Sequence, residues 1–302
     1  MELVQVSKRV FCLAGATNIG VIVSDDGVVV LVDSGLDSSS ARRAVRAVSD
    51  RGWTVGAIVN THAHADHIGG NAEIKRRTGS SVWAPGFEEA WVKEPFSEPF
   101  ALFGGARPPS GLMNKFTLAE PCGVDHIIDH GETQVCGVTM RVESLKGHSP
   151  NQVGIIVDGA FFCGDAFFQC DQLSKHVIPY NVDIGSHIET LGRLSQIPAE
   201  VVIPGHGGIC DEPESAVEAN AKRVRLIEEC VLEEAGGGAT SETVVSRVCS
   251  RMGVTPRTIA QYYLNSSALH AYLSYLESTG SLRVELSGDG TVVWLRGRGE
   301  SR

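Results

Sequence analysis

The sequence lacks any run of about 18 apolar residues, so nothing in it predicts a membrane-spanning helix. Its first residues, MELVQVSKRVFCLAGATN, contain no apolar stretch leading to a small-residue cleavage site, which argues against export and predicts a cytoplasmic protein. The eight cysteines (Cys12, Cys122, Cys136, Cys163, Cys170, Cys210, Cys230 and Cys249) form no C-x-x-C pair. That scatter argues against a cysteine zinc ribbon or a redox dithiol and favours buried, reduced thiols. Basic residues are scarce too: 26 Lys and Arg stand against 36 Asp and Glu, a net charge of -10. A chain so charged repels phosphate backbones and anionic membranes unless it carries a local basic patch. Internal repeats and low-complexity tracts are also missing.

What is there is a globular composition, 42% hydrophobic and 21% charged, in 302 residues. Short β-branched runs recur at Val10 to Leu13, Val21 to Val23, Val28 to Val32, Val55 to Val59, Val138 to Val142, Val153 to Val157 and Val201 to Ile203, and predict strands. Helical patterns lie between some of them, at Ser38 to Ser49, Asn71 to Arg77, Phe87 to Lys93 and Ser186 to Leu194. Strands alternating with helices predict an α/β fold with a helix-covered sheet. Residues 94–121 interrupt the rhythm with five prolines and four Phe, and read as an ordered lid loop over a pocket or as an excursion onto a partner subunit. A long helix is predicted over about 213–234, stopped by Gly236, Gly237 and Gly238. That stop divides a catalytic domain, 1–235, from a C-terminal module, 239–302. The module shows three short helical patterns (Ser241 to Arg251, Pro256 to Leu264, Ser267 to Ser278) and then SLRVEL and TVVWLR joined by SGDG, a hairpin signal. Three helices and a hairpin suggest a winged-helix-like unit.

Ligand-type side chains fall just past the ends of strands. VGAIVN leads into THAHADH with His62, His64, Asp66 and His67; MRVESLKG leads to His148, AFFCG to Asp165 and VVIPG to His206. Loops rooted in a sheet can converge on one cleft while the sheet fixes their bases. Four ligand-type residues within six, beside Gly69 and Gly70, would be costly polar bulk near a core without a metal to hold. Five imidazoles and two carboxylates suit two divalent ions, with Zn²⁺ the default and Fe or Mn compatible. Asp66 is also placed to orient a water or take its proton.

HxHxDH followed by isolated His, Asp and His, each after a strand and a glycine, resembles the metallo-β-lactamase superfamily over about residues 10–210. The likeness includes Asp33, Ser34 and Gly35, then GHSP from Gly147, Gly164 with Asp165, and PGHG from Pro204. It implies an αββα sandwich, one ion on His62, His64 and His148, a second on Asp66, His67 and His206, and Asp165 bridging them. The C-terminal module is loosely similar to the winged-helix appendage of relatives of β-lactamase-like protein 2.

The first functional expectation is hydrolysis of a small ester, thioester, lactone or amide by water that the metals activate, with a metal steadying the oxyanion. Lactonases of this family carry Tyr three residues after the bridging Asp, where this chain has Phe168. A phosphodiesterase or ribonuclease is the alternative, but SALHAYLSYLES holds no Lys or Arg, and Arg283, Arg296 and Arg298 are few, so nucleic acid is not the expected partner. A third reading is persulfide oxidation on one iron at His62, His148 and Asp165, as the family resemblance allows. Lys175, His176, Tyr180 and Asn181 lie on a loop returning past the cleft and are the candidate substrate contacts. Leu269, Tyr272, Leu273 and Leu276 form an apolar stripe suited to the long helix or to a second copy, as in a homodimer. His126, His130, His187 and His270 read as structural or surface residues.

Overall fold

In the computed structural model, which describes residues 3–297, the β-branched runs become strands of two facing sheets. The first sheet holds seven strands side by side in chain order: β1 (Leu3–Gln5), β2 (Val10–Leu13), β3 (Ile19–Val23), β4 (Val28–Val32), β5 (Thr54–Val59), β6 (Ser81–Pro85) and β7 (His126–Ile128). β1 to β4 form an antiparallel meander, and β4 to β7 run parallel. Parallel neighbours need a crossover. Those connections hold α1 (Ser38–Ser49), α2 (Ala65–Ile68), α3 (Asn71–Thr78), α4 (Glu88–Lys93) and α5 (Ser97–Leu102).

The second sheet has five strands: β8 (Gly131–Val135), β9 (Val138–Ser144), β10 (Val153–Val157), β11 (Ala160–Gly164) and β12 (Val201–Pro204), with β8 and β12 at its edges. β12 joins β11 in parallel after a connection holding α6 (Cys170–Lys175) and α7 (Ile184–Leu194). Side chains alternate across each strand. On β2, Val10 and Cys12 enter the core between the sheets with Ile155 and Phe162, whereas Phe11 and Leu13 pack under Ala41, Ala44 and Val48 of α1. Burial on both faces explains why these strands read as unbroken apolar runs. The sheets approach so closely at Gly20 that a Cβ there would strike the Phe162 ring.

Beyond the second sheet, α7 packs with α8 (Glu214–Ala235) and α10 (Ile259–Ser278), and α9 (Ser241–Arg251) packs on α8 and α10. One continuous core joins Leu145 and Phe161 to Leu191, Ile227, Val248, Leu269, Tyr272 and Leu273. β13 (Gly237–Ala239), β14 (Leu282–Leu286) and β15 (Val292–Arg296) form a small antiparallel sheet with β15 in the middle. The helical patterns expected at 256–264 and 267–278 are a single helix, because Asn265 and Ser266 join them without a Gly or Pro and Ser266 is buried. The 94–121 segment is ordered around α5, a 3₁₀ turn at Ser110–Leu112, and the buried side chains of Leu112 and Thr117. It leans on α10, where Phe103 meets Tyr263 edge to face at 5.3 Å. Among the described residues, no helix is long and apolar enough to cross a membrane.

Candidate metal centre

The loop after β5 delivers His62 and His64, and the short α2 delivers Asp66 and His67. Two close backbone approaches hold this loop against the end of β4. A Cβ at Gly69 would collide with the Leu36 carbonyl, and one at Gly70 with that of Ser34. Inside the turn Asn60 and Asn71 exchange amide hydrogen bonds of 3.3 and 2.7 Å. His148 follows β9, Asp165 follows β11 and His206 follows β12, so all seven ligand-type residues expected from the sequence meet in one cleft.

Hydrogen bonds orient the imidazoles. His148 Nδ1 donates to the Tyr180 carbonyl at 2.7 Å, His206 Nδ1 to the Ala16 carbonyl at 2.6 Å, and His67 Nδ1 to Asp33 at 2.8 Å. His62 Nδ1 faces the Thr61 hydroxyl at 3.0 Å, and that hydroxyl donates to Asp33 at 2.8 Å. Each bond fixes Nδ1 as the outer donor and leaves Nε2 directed inward, the nitrogen that would bind a cation in place of a proton. His64 is turned the other way, with Nδ1 2.9 Å from His148 Nε2.

Ligand atoms of His62, His64 and His148 lie within 4.8 Å of one another, and so do those of Asp66, His67 and His206. Asp165 stands between the groups. Its Oδ2 is 3.6 Å from His148 Nε2 and 3.3 Å from His206 Nε2, and its Oδ1 is 3.5 Å from His67 Nε2. His62, His67 and Asp165 make a third, overlapping trio. His62 Nε2, His67 Nε2 and Asp165 Oδ1 are buried with no hydrogen-bond partner. Buried polar atoms are ordinarily paired, so three orphans converging on one point fit a metal ion. The pocket is tight at Gly205, where a Cβ would meet Asp165 Oδ1 and the His67 ring.

The electrostatics split the site in two. Burial, with His67, His64 and His148 nearby, drives His62 well below the ordinary imidazole range, and burial with His148 pushes His64 down to about 3. Burial opposes charge on His67 as well, yet Asp165, Asp33 and Asp66 hold it up to about 10. His206 is held up to about 12 against its burial by Asp165 and Asp66. Burial pushes Asp165 up, but His206 and His67 keep it well below the usual carboxylate range. The field that charges two imidazoles is one that attracts a cation.

The mouth is lined from the loop after β11. Phe168 stacks on His206 at 6.2 Å and on His176 at 5.6 Å. Tyr180 is edge-on to His64 at 5.4 Å, and Asn181 is buried with its Oδ1 unpartnered. Lys175 lies on the surface, 3.4 Å from Asp171. His187 is buried against the His148 loop, and His126 stacks on Trp83 at 4.2 Å.

Sequence reasoning missed Glu88, Glu98 and Gln152. Glu88 accepts from Ala63 N, Ser149 Oγ and Asn151 N, Glu98 accepts from Ala65 N, and Gln152 Oε1 accepts from Asp165 N. Glu88 in a short helical pattern, Glu98 in the Pro- and Phe-rich stretch and Gln152 after GHSP have no spacing that marks them. Burial raises Glu88, against its three donors, and burial with Asp66 nearby raises Glu98 well above the carboxylate range.

The chain is similar in sequence to hydroxyacylglutathione hydrolases. That of Xanthomonas euvesicatoria pv. vesicatoria is 27% identical over 187 residues, 60% of this chain and 57% of that protein. That of Methylococcus capsulatus is 27% identical over 193 residues, 60% of this chain and 62% of that protein. The chain thus spans less than two thirds of the length of these curated relatives. In structure it is similar to a beta-lactamase domain protein from Burkholderia ambifaria, with a TM-score of 0.71 and 20% identity over 98% of this chain and 94% of that one. A metallo-beta-lactamase family protein from Thermus thermophilus gives a TM-score of 0.72 and 21% identity over 95% and 97% of the two chains. These two likenesses reach across the C-terminal helices and concern the fold alone. The family model described as the Metallo-beta-lactamase superfamily matches residues 13–206, the span that contains every ligand-type residue of the cleft, and the chain belongs to that superfamily.

Proposed function

We propose that this chain is a hydrolase that works with two divalent metal ions, Zn²⁺ by its donor set, on a small ester, thioester, lactone or amide. The observation that carries this reading is the placement of Asp165 between two donor groups, one of three histidines and one of Asp66, His67 and His206. Relatives named for hydroxyacylglutathione, a thioester, put that class first among substrates to try. Bound metal would supply a Lewis acid for the scissile carbonyl and bring the pKa of water towards ~7. Asp66 sits at the open side of the cleft, 3.2 Å from His206 Nε2, where its carboxylate can orient the attacking water and receive its proton. His176, Tyr180 and Asn181 are the proposed substrate contacts, with Phe168 as an apolar wall.

The C-terminal segment, 239–302, is proposed as a winged-helix-like unit that shapes this pocket rather than binding nucleic acid. α10 contains no Lys or Arg over its 20 residues, which deprives it of phosphate contacts.

The test is metal content by elemental mass spectrometry together with turnover of a thioester, lactone and phosphodiester panel. About two zinc per chain and thioester turnover lost in His64→Ala and Asp165→Ala are expected. About one iron per chain with oxygen uptake on a persulfide would overturn the reading.

A further inference from the structure

The motif His62-Ala63-His64-Ala65-Asp66 carries its ligands on alternate residues, and the residues between them are tied from outside the sheet. Ala63 N donates to Glu88 Oε2 at 3.1 Å, and Ala65 N donates to Glu98 Oε2 at 3.2 Å. The other oxygen of Glu88 accepts from Ser149 Oγ at 2.6 Å and Asn151 N at 2.9 Å, on the loop that carries His148. Both glutamates are buried, at 2% and 5% exposure, on the consecutive helices α4 and α5. A buried loop N–H needs an acceptor, and strand pairing cannot supply one past the end of β5. Burying a carboxylate is costly unless several donors share it, as three do at Glu88, whereas Glu98, raised well above the carboxylate range by its burial, presents one accepting oxygen to Ala65 N.

We propose that Glu88 and Glu98 are positioning residues that clamp the backbone of the metal-binding motif, with Glu88 also locking the His62–His64 loop to the His148 loop. The hydrogen bonds of both run to backbone N–H groups and to Ser149, not to a ligand side chain. They act through the peptide units on either side of His64, so the stretch from α4 to α5 also sets the geometry of the first histidine group. Outer partners of ligands are known to govern metal affinity by ten- to a hundredfold. The clamp rests on reading His62, His64 and His148 as ligands.

The two side chains differ in what an amide can replace. Glu98 accepts one N–H, which the carbonyl oxygen of Gln can accept equally. Glu88 accepts three donors on two oxygens, and the NH₂ of Gln would oppose at least one of them. Glu98→Gln is therefore expected to bind zinc within about twofold of wild type, Glu98→Ala and Glu88→Gln several-fold more weakly, and Glu88→Ala about ten- to a hundredfold more weakly. Zinc competition against a chromophoric chelator gives these affinities, and the Tm of each zinc-free protein is measured beside them. A merely structural role lowers Tm and leaves zinc affinity unchanged in the folded protein, and that result overturns the proposal. Should Glu88→Ala not fold, Ser149→Ala removes one donor at the same carboxylate. It is expected to weaken zinc several-fold, and wild-type affinity for both Ser149→Ala and Glu88→Gln counts against the clamp. Wild-type protein that takes up no zinc sinks the metallohydrolase reading itself, whereas full wild-type uptake with unchanged variants sinks only the clamp.

Discussion

Asp33 and His67 face each other across 2.8 Å, and the same carboxylate receives both the N–H and the hydroxyl of Thr61 at 2.8 Å. One buried side chain therefore orients His67 directly and His62 through Thr61. Asp33 holds φ 61, a left-handed conformation that Asp tolerates better than most residues, and its own N–H is anchored to the Val59 carbonyl at 2.9 Å. Backbone strain of this kind persists where the surroundings over-determine it.

Asp33→Ala removes the acceptor for His67 Nδ1–H and frees the tautomer that aims Nε2 inward. Asp33→Asn can present an NH₂ to His67 and select the wrong tautomer. Both variants are expected to lose about ten- to a hundredfold in zinc affinity. Calorimetric zinc titration checks this, and wild-type affinity in both would remove Asp33 from the account.

His187 supports a prediction about acid stability. It is buried with Nδ1 unpartnered, and burial pushes it down to about 3 from the ordinary 6.5. Between those values the unfolded chain binds a proton that the folded chain refuses. The group's contribution is thus complete above the unfolded pKa and is lost as pH falls below 6.5. One unit is worth about 1.4 kcal/mol, so wild type should lose about 2 kcal/mol more than His187→Gln between pH 7.5 and pH 5. Urea unfolding at the two pH values measures the difference, and parallel losses in the two proteins would show that His187 is not the cause.

The ligands were legible because HxHxDH crowds four of them into six residues, and because His148, Asp165 and His206 each follow a recognisable strand. Their orienting partners were not. Glu88 and Glu98 reach the motif only once β6 is paired with β5 and the chain beyond it folds back over the cleft, a contact at long range with no local pattern. The predicted strands were legible for the opposite reason: most are buried on both faces and need apolar residues throughout, while β9 shows the alternation of a half-buried strand, with Thr139 and Arg141 exposed between Val138, Met140 and Val142. β1, at the sheet's edge with Val4 and Gln5 exposed, carries no such signal. The split of α10 into two expected helices came from reading Asn265 and Ser266 as a break, when tertiary burial outweighs their weak helix propensity.

The C-terminal segment offers the last prediction. Leu269, Tyr272 and Leu273 of α10 lie in one buried cluster with Ile227 of α8, Leu191 of α7 and Phe161 of β11, so cutting after Gly238 would remove α9 and α10 and expose the apolar faces of α7 and α8 that they cover. Leu269 is fully buried, and Leu269→Ala should cost about 2–5 kcal/mol. Tyr272 is equally buried but its hydroxyl has no partner, so Tyr272→Phe should be neutral or slightly stabilising. Chemical denaturation of the full-length variants reads both, and a single coincident transition is expected by far-UV dichroism and by Trp294 fluorescence in a background where Trp53, Trp83 and Trp91 are replaced by Phe. Trp294 packs on this cluster and donates to Ser241 at 3.0 Å, so an earlier, separate fluorescence transition would mean that the segment folds as an independent domain despite the shared core.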